Sequence, residues 1–423
     1  MRAVCLILIL LASTCIAAEE PGGPDLPPTD QVYAALARNP AILGARSGIR
    51  MEQANRDRLV AGDYEFQVRG TVQNRNVAPS EQIGATSSTN FTEWDFAIER
   101  PIRLPGKARM DRDIGAQGVT VAQRTATGAW HETARGLLRL WFAWMREGVQ
   151  LELWQQQAQF MRAQHAIVGK RVAAGDAPKL EANLAEAAIA QAEATVAQFQ
   201  GRVNAARQAI EQSFPELKIS GPPPPHDPLP IGESVDFYLQ RSLKYNDELT
   251  IARAESRRRE LLAQRSSAQG TPDPTVGFRI ASEFGGAERV AGVYISIPLP
   301  GAARAATRDG AWVQLEIAHE QEATVERRIR SDIASLHAAA DGAYRTWLRA
   351  RSAAEGMSRN ALLVARAYEL REATLAELVN ARKLAVDTEL NSALARLEAA
   401  EIHYRMQIDA HLLWPDPQDV HED

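Results

Sequence analysis

A short segment near residue 102 recurs almost two hundred positions later, and the order of everything around it recurs with it. Ile102-Arg-Leu-Pro-Gly-Lys-Ala-Arg109 matches Ile297-Pro-Leu-Pro-Gly-Ala-Ala-Arg304 at six of eight positions. Each copy follows the same plan. A short helical stretch meets a turn signal, Asn39-Pro40 in the first half and Tyr245-Asn246 in the second. A longer helical stretch, two alternating segments, the Pro-Gly break and a very long helical region come next. A repeat of this length exceeds any ordinary solenoid unit and describes a duplicated half-molecule with internal pseudo-symmetry. Between the halves lies Ser220-Gly-Pro-Pro-Pro-Pro-His-Asp-Pro-Leu-Pro230, whose consecutive prolines cannot continue a helix. The frame expected is a first repeat over 19–219, a proline-rich linker over 220–231, a second repeat over 232–414 and a polar tail over 415–423.

The alternating segments set the next constraint. In Tyr64-Glu-Phe-Gln-Val-Arg-Gly-Thr-Val72 apolar residues fall on every second position, and Trp94, Phe96 and Ile98 stand opposite Asp95 and Glu99. The second half repeats this with Val276, Phe278 and Ile280, then Ala291, Val293, Ile295 and Ile297. Period-two alternation marks strands with one apolar and one wet face, at about the length a tilted strand needs to cross a bilayer. Two ordinary soluble hairpins fit the same pattern. In lipid, however, an open strand edge is unsatisfied, and four strands cannot close, because barrels begin at about eight. The sheet would then be shared between subunits: two copies give a filled eight-stranded barrel, and three give twelve strands around a channel.

From Met110 to Ala173 there is no proline, and such a stretch would make roughly 96 Å of continuous helix. Return helices are expected at 177–213 and 373–413. Leu137, Trp141, Trp144 and Leu151 share one side, as do Leu390 and Leu397, a spacing that favours side-by-side packing. Ten alanines between Ala182 and Ala206 permit close helix approach. A stripe such as Trp141, Trp144 and Trp154 is better read as core than as a ligand platform.

Composition narrows the chemistry. The net charge of -5 opposes nucleic-acid binding through a basic face. The eight histidines form no metal-ligand spacing, and no phosphate loop, nucleophile elbow or dinucleotide fingerprint occurs. No catalytic constellation, cofactor site or metal site is expected. Both cysteines lie in the first fifteen residues. Met1-Arg2, an apolar run from Ala3 to Ala12 and small residues up to Ala18 describe a secretory signal peptide over 1–18. Lipid attachment at Cys15 is the competing reading of that segment, although Ala12-Ser13-Thr14 suits it poorly.

Taken together, the duplicated halves, paired strands and long hairpins resemble the TolC-like outer-membrane efflux ducts over essentially the whole mature chain. The hairpin tips carry much of the likeness. Arg171-Val-Ala-Ala-Gly-Asp-Ala-Pro-Lys-Leu-Glu181 is similar to the first family tip, with Gly175 and then Glu181 six positions later. Ala367-Tyr-Glu-Leu-Arg-Glu-Ala-Thr-Leu-Ala-Glu377-Leu-Val-Asn-Ala381 is similar to the second, with Tyr368 at the aromatic position and Arg371, followed by Glu372, where glycine is common. Arg100-Pro-Ile-Arg-Leu-Pro-Gly-Lys107 resembles the heavy-metal, CzcC-like branch. The resemblance implies a mainly α protein with membrane β structure: a homotrimer with a shared twelve-stranded barrel in outer-membrane lipid and an α-helical tunnel through the periplasm. It further implies docking to a periplasmic adaptor and a proton-driven inner-membrane pump. Glu377 and Asn380 match the family's aperture positions. Pro105, Gly106, Pro300 and Gly301 are expected to redirect the chain from barrel to tunnel, the prolines ending the strands and the glycines permitting a tight backbone.

The function expected is therefore a non-enzymatic exit duct for metal cations or small toxic compounds. A type I protein-secretion duct is the alternative that the residues do not separate. A periplasmic coiled-coil adaptor is opposed by the strands and the duplication.

Overall fold

The computed structural model describes residues 23–78 and 89–418. The signal-peptide segment with Cys15, most of the linker after Val77 and the last five residues lie outside them. The first repeat contains α1 (Thr29–Arg38), α2 (Pro40–Ala61), β1 (Gln67–Val77), β2 (Thr89–Pro101), α3 (Pro105–Ala173) and α4 (Lys179–Ser213). The second contains α5 (Val235–Tyr245), α6 (Asp247–Ala268), β3 (Thr275–Glu283), β4 (Glu288–Ser296), α7 (Ala302–Glu369) and α8 (Leu375–Asp409). Paired elements match closely in length: 22 and 22 residues for α2 and α6, 69 and 68 for α3 and α7, 35 and 35 for α4 and α8. No helix among the described residues is long and apolar enough to cross a membrane.

The chain forms two compact units. One contains Pro40–Trp130 and Leu239–Ile333; the other contains the residues up to Asn39, His131–Tyr238 and those from Ala334 onward.

The first of these carries the sheet. Its four strands are antiparallel in the order β1-β2-β3-β4, so β1 and β4 are its edges. Register places Val68 opposite Ile98, Ile98 opposite Phe278, and Phe278 opposite Val293. Cross-strand partners point to the same side, so an apolar row runs across the whole sheet. Gly70, Phe96, Ile280 and Ala291 form the next row. This face is bare: Val72 is 75% exposed and Val293 82%.

In the other unit, heptad spacing organises the packing. Ala340, Trp347, Ala354, Ala361 and Tyr368 follow one another at intervals of seven along α7, all buried. A seven-residue seam is what side-by-side helices require. Trp141 and Trp144 stack edge-on at 5.1 Å between ring centres, and the Trp141 indole donates to the Asp25 carbonyl at 2.7 Å. These tryptophans are core residues, as their spacing suggested.

Candidate functional site

The two hairpin tips are built alike. In the first, Gly175 N–H donates to Val172 O and Asp176 N–H to Arg171 O; in the second, Arg371 N–H donates to Tyr368 O and Glu372 N–H to Ala367 O. This doubled pattern is a Schellman stop, which needs a left-handed residue. Gly175 supplies it at φ +75° and Arg371 at φ +63°. Glycine takes that conformation freely, whereas for arginine it costs on the order of 1 kcal/mol. The compensation lies across the tip, where the Arg371 guanidinium meets Asp176 at 2.8 Å. Glu372, beside it in sequence, is not the partner.

A second link joins the hairpins. Arg171 lies over the Tyr368 ring at 5.4 Å, donates to its hydroxyl at 2.8 Å, and stands 3.5 Å from Glu181. The Tyr368 hydroxyl in turn lies 3.4 Å from Glu181. Beneath them Val168, Ala185, Tyr368, Leu375 and Leu378 form a buried cluster. The tip is thus an apolar plug under two ionic clasps. Burial, together with the Glu181 carboxylate, pushes the Tyr368 hydroxyl up against the lowering effect of Arg171, so it stays protonated.

One residue separates the fates of the matching glutamates. In the second tip Thr374 caps α8 by accepting from the Glu377 N–H at 3.2 Å. The Glu377 carboxylate reaches back to the Thr374 N–H at 2.7 Å and to its hydroxyl at 2.9 Å. In the first tip the N-cap is Pro178, which offers neither N–H nor hydroxyl. Glu181 therefore turns to Arg171 and Tyr368, while Glu377 stays exposed on the first turn of α8, with Asn380 exposed one turn further along. The Thr374 N–H, then its hydroxyl, hold the Glu377 carboxyl below its ordinary value of 4.5. A depressed carboxylate stabilises the cap above that value and ceases to as pH falls through its folded value. Thr374→Ala should cost about 1 kcal/mol and speed amide exchange in the first turn of α8, with the tip of α4 unchanged.

At the strand-to-helix breaks the geometry differs from expectation. β2 ends at Pro101, and Pro105 opens α3 rather than ending the strand; β4 ends at Ser296, and Pro300 lies in the connection. Proline suits the first helical position because its missing N–H has no partner there. Gly106 and Gly301 are absent from the left-handed region, and a Cβ at either would meet nothing within 4 Å. Neither glycine is required for a tight backbone. What fixes the first break is polar. The Asp273 carboxylate accepts from the buried Lys107 ammonium at 2.9 Å, from the Leu104 N–H at 3.1 Å and from the Tyr64 hydroxyl at 2.9 Å. Lys107 also reaches the Thr271 carbonyl at 2.5 Å. Next to this, Asp111 pairs with Arg265 at 2.6 Å and Arg103 at 3.2 Å. Burial alone raises the Asp273 carboxyl, but Lys107, Leu104 and Tyr64 together outweigh it and hold it low. Burial and the bond to Asp273 push the Tyr64 hydroxyl up to about 12. The matched motifs held one signal of this asymmetry: Lys107 is replaced by Ala302 in the second copy.

The face of the sheet opposite the apolar rows is ionic. Arg69 pairs with Glu99 at 2.8 Å, Arg75 with Glu93 at 3.1 Å and Arg279 with Asp95 at 3.6 Å. The Tyr294 hydroxyl donates to Glu99 at 2.6 Å. Its ring crosses Gly277 so closely that a Cβ there would sit 2.3 Å away, so a side chain at that point would have to displace the Tyr294 ring.

No family model and no curated protein matches this sequence. Solved structures do match in fold. The outer membrane channel CmeC of Campylobacter jejuni superposes with a TM-score of 0.73 at 11% identity, over 92% of this chain and 86% of that one. The outer membrane protein VceC of Vibrio cholerae gives 0.70 at 14%, over 90% and 95%. The open state of the outer membrane channel MtrE of Neisseria gonorrhoeae gives 0.63 at 16%, over 92% and 89%. The chain therefore has the mainly helical, four-stranded fold of these outer-membrane channels.

Proposed function

We propose that three copies of this chain close a twelve-stranded barrel in the outer membrane and form a passive exit duct for a tripartite efflux system. One observation carries this reading: a four-stranded sheet with two open edges, one bare apolar face and one ion-paired face. Such a sheet suits lipid on one side and water on the other, and only closure through further copies satisfies its edges. The likeness of fold to outer-membrane channels points the same way.

The cargo we assign is metal cations or small toxic compounds, on the similarity of Arg100–Lys107 to heavy-metal ducts. The partners are a periplasmic adaptor and a proton-driven inner-membrane pump, which supplies the energy; the duct itself performs no reaction. The periplasmic tip is the gate. The clasps Arg371–Asp176 and Arg171–Tyr368–Glu181 hold it shut, and opening separates the hairpins. Glu377, exposed and ionised, forms a threefold ring with Asn380 above it, attracting cations and binding a multivalent one as a plug.

Extraction tests the assembly: the protein should leave outer membranes as a detergent-stable trimer, and a soluble periplasmic monomer would overturn the proposal. Single-channel recording tests the gate. Glu377→Gln should weaken block by trivalent cations and lower cation preference. Identical block and selectivity in the two proteins would remove Glu377 from the aperture.

A further inference from the structure

The four described strands carry five arginines, and the two faces of the sheet treat them differently. Arg69, Arg75 and Arg279 stand on the ionic face, and each has a carboxylate within 3.6 Å. Arg100 and Arg289 stand on the apolar face. Arg100 lies opposite Val276, itself opposite Ile295, and Arg289 lies opposite Ser282, itself opposite Trp94. Neither has a carboxylate partner among the described residues. The two mark opposite ends of that face. Arg100 occupies its last row before the Pro-Gly break, and Arg289 shares the row of Trp94, six residues back along β2. Six residues span about 20 Å of strand, or roughly 15 Å along the bilayer normal at a tilt of about 40°. From those levels arginine stems reach outward, toward the two edges of an apolar band about 25 Å tall.

At Arg100 the surroundings are built. Its Nε–H donates to the Tyr64 carbonyl at 2.8 Å, and the guanidinium lies 4.9 Å from the centre of the Phe66 ring. Tyr64 is itself fixed, by its hydroxyl on Asp273 at 2.9 Å and by Arg103 over its ring at 5.1 Å. The terminal nitrogens of Arg100 have no acceptor among the described residues. Phe66 and, in the row of Arg100, Ile295 are 64% and 63% exposed. We infer that Arg100 is a headgroup site, whose terminal N–H groups grip the phosphate of a phospholipid in the leaflet on the helical side of the barrel. Phe66 and Ile295 then lie against the acyl chains. This rests on the membrane barrel proposed above. An arginine fork matches two oxygens of one phosphate, whereas hydrocarbon offers no acceptor, and a charge on a lipid face is cheap only near the interface. The chain sets its own carboxylates beside the arginines of the wet face and leaves Arg100 to an anion of the membrane.

Lipid binding to the delipidated, detergent-solubilised trimer tests the site, read by native mass spectrometry. Dioleoylphosphatidylglycerol should bind about tenfold more tightly, or better, than dioleoylglycerol, which has the same chains and no phosphate. Arg100→Gln, which keeps a donor for the Tyr64 carbonyl but no charge, should abolish that preference. Arg69→Gln, on the ionic face, should retain it. Excess inorganic phosphate should leave the lipid bound, because the chains add apolar burial of their own. Displacement by inorganic phosphate would make Arg100 a free-anion site and overturn the assignment, as would a preference that survives Arg100→Gln. Equal binding of the two lipids by the unmodified trimer, a result that needs no variant to fold, would also overturn it and leave the duct reading standing. Absence of a trimer in the unmodified protein would overturn the duct reading itself.

Discussion

Phe96→Arg should leave little assembled protein in the outer membrane, and Val293→Arg should do the same. Both side chains stand on the apolar face, Phe96 in the row with Ile280 and Val293 at the end of the row through Phe278. An arginine facing lipid near the bilayer midplane costs about 2–4 kcal/mol. A trimer carries the change three times, about 6–12 kcal/mol in all by that figure, comparable with the stability of a whole domain. Thr71→Arg is the matched control. Thr71 lies opposite Asp95 on the ionic face, where an added cation finds a carboxylate and water, so assembly should persist. The measurement is the fraction of chain migrating as trimer from outer-membrane extracts. Equal loss from both faces would mean that neither meets lipid.

The second large effect belongs to the buried junction under the sheet. Asp273→Ala strips Lys107 of its carboxylate while leaving the ammonium only 3% exposed. Breaking a buried pair in this way costs about 3–5 kcal/mol. Asp273→Asn keeps an acceptor for the Leu104 N–H and should cost less. The same carboxylate gives a pH dependence with a definite sign. Its value is held below 3.8 in the folded chain, so its stabilisation is complete above that value and is lost as pH falls through the lower folded one. Thermal unfolding in detergent should therefore show acid sensitivity in the wild type that is reduced in Asp273→Asn. Indistinguishable profiles would mean that the carboxylate contributes no charge-dependent stability.

Much of this architecture could be read from the residues alone, because periodicity reports local geometry. The change from period two to helical spacing located the strands and long helices to within a few residues, and the Leu-Pro-Gly recurrence exposed the duplication. Arg371, standing where glycine is common, left the geometry of the second tip open, and the backbone shows it left-handed. What escaped were contacts between segments far apart in sequence. Nothing near Asp273 announces that it receives Lys107, 166 positions earlier, since pairing of buried charges depends on tertiary approach and leaves no local period. The roles expected of Pro105 and Gly106 fail for a related reason. Proline is compatible with both the end of a strand and the first turn of a helix, and only the backbone chooses between them.

The tips show what one substitution does to a duplicated protein. In the proposed trimer a chain written twice would present every feature six times around the axis, and a ring of six carboxylates would follow from Glu181 and Glu377 alike. Pro178 in place of a threonine breaks that equivalence. It withholds the cap, sends Glu181 to Arg171, and leaves only Glu377 facing outward on its helix. In that trimer the sixfold ring would become a threefold one: alternate carboxylates would lock the hairpins together while the rest would stay open to ions. One repeated position thus serves as a fastener in the first copy and faces solvent in the second.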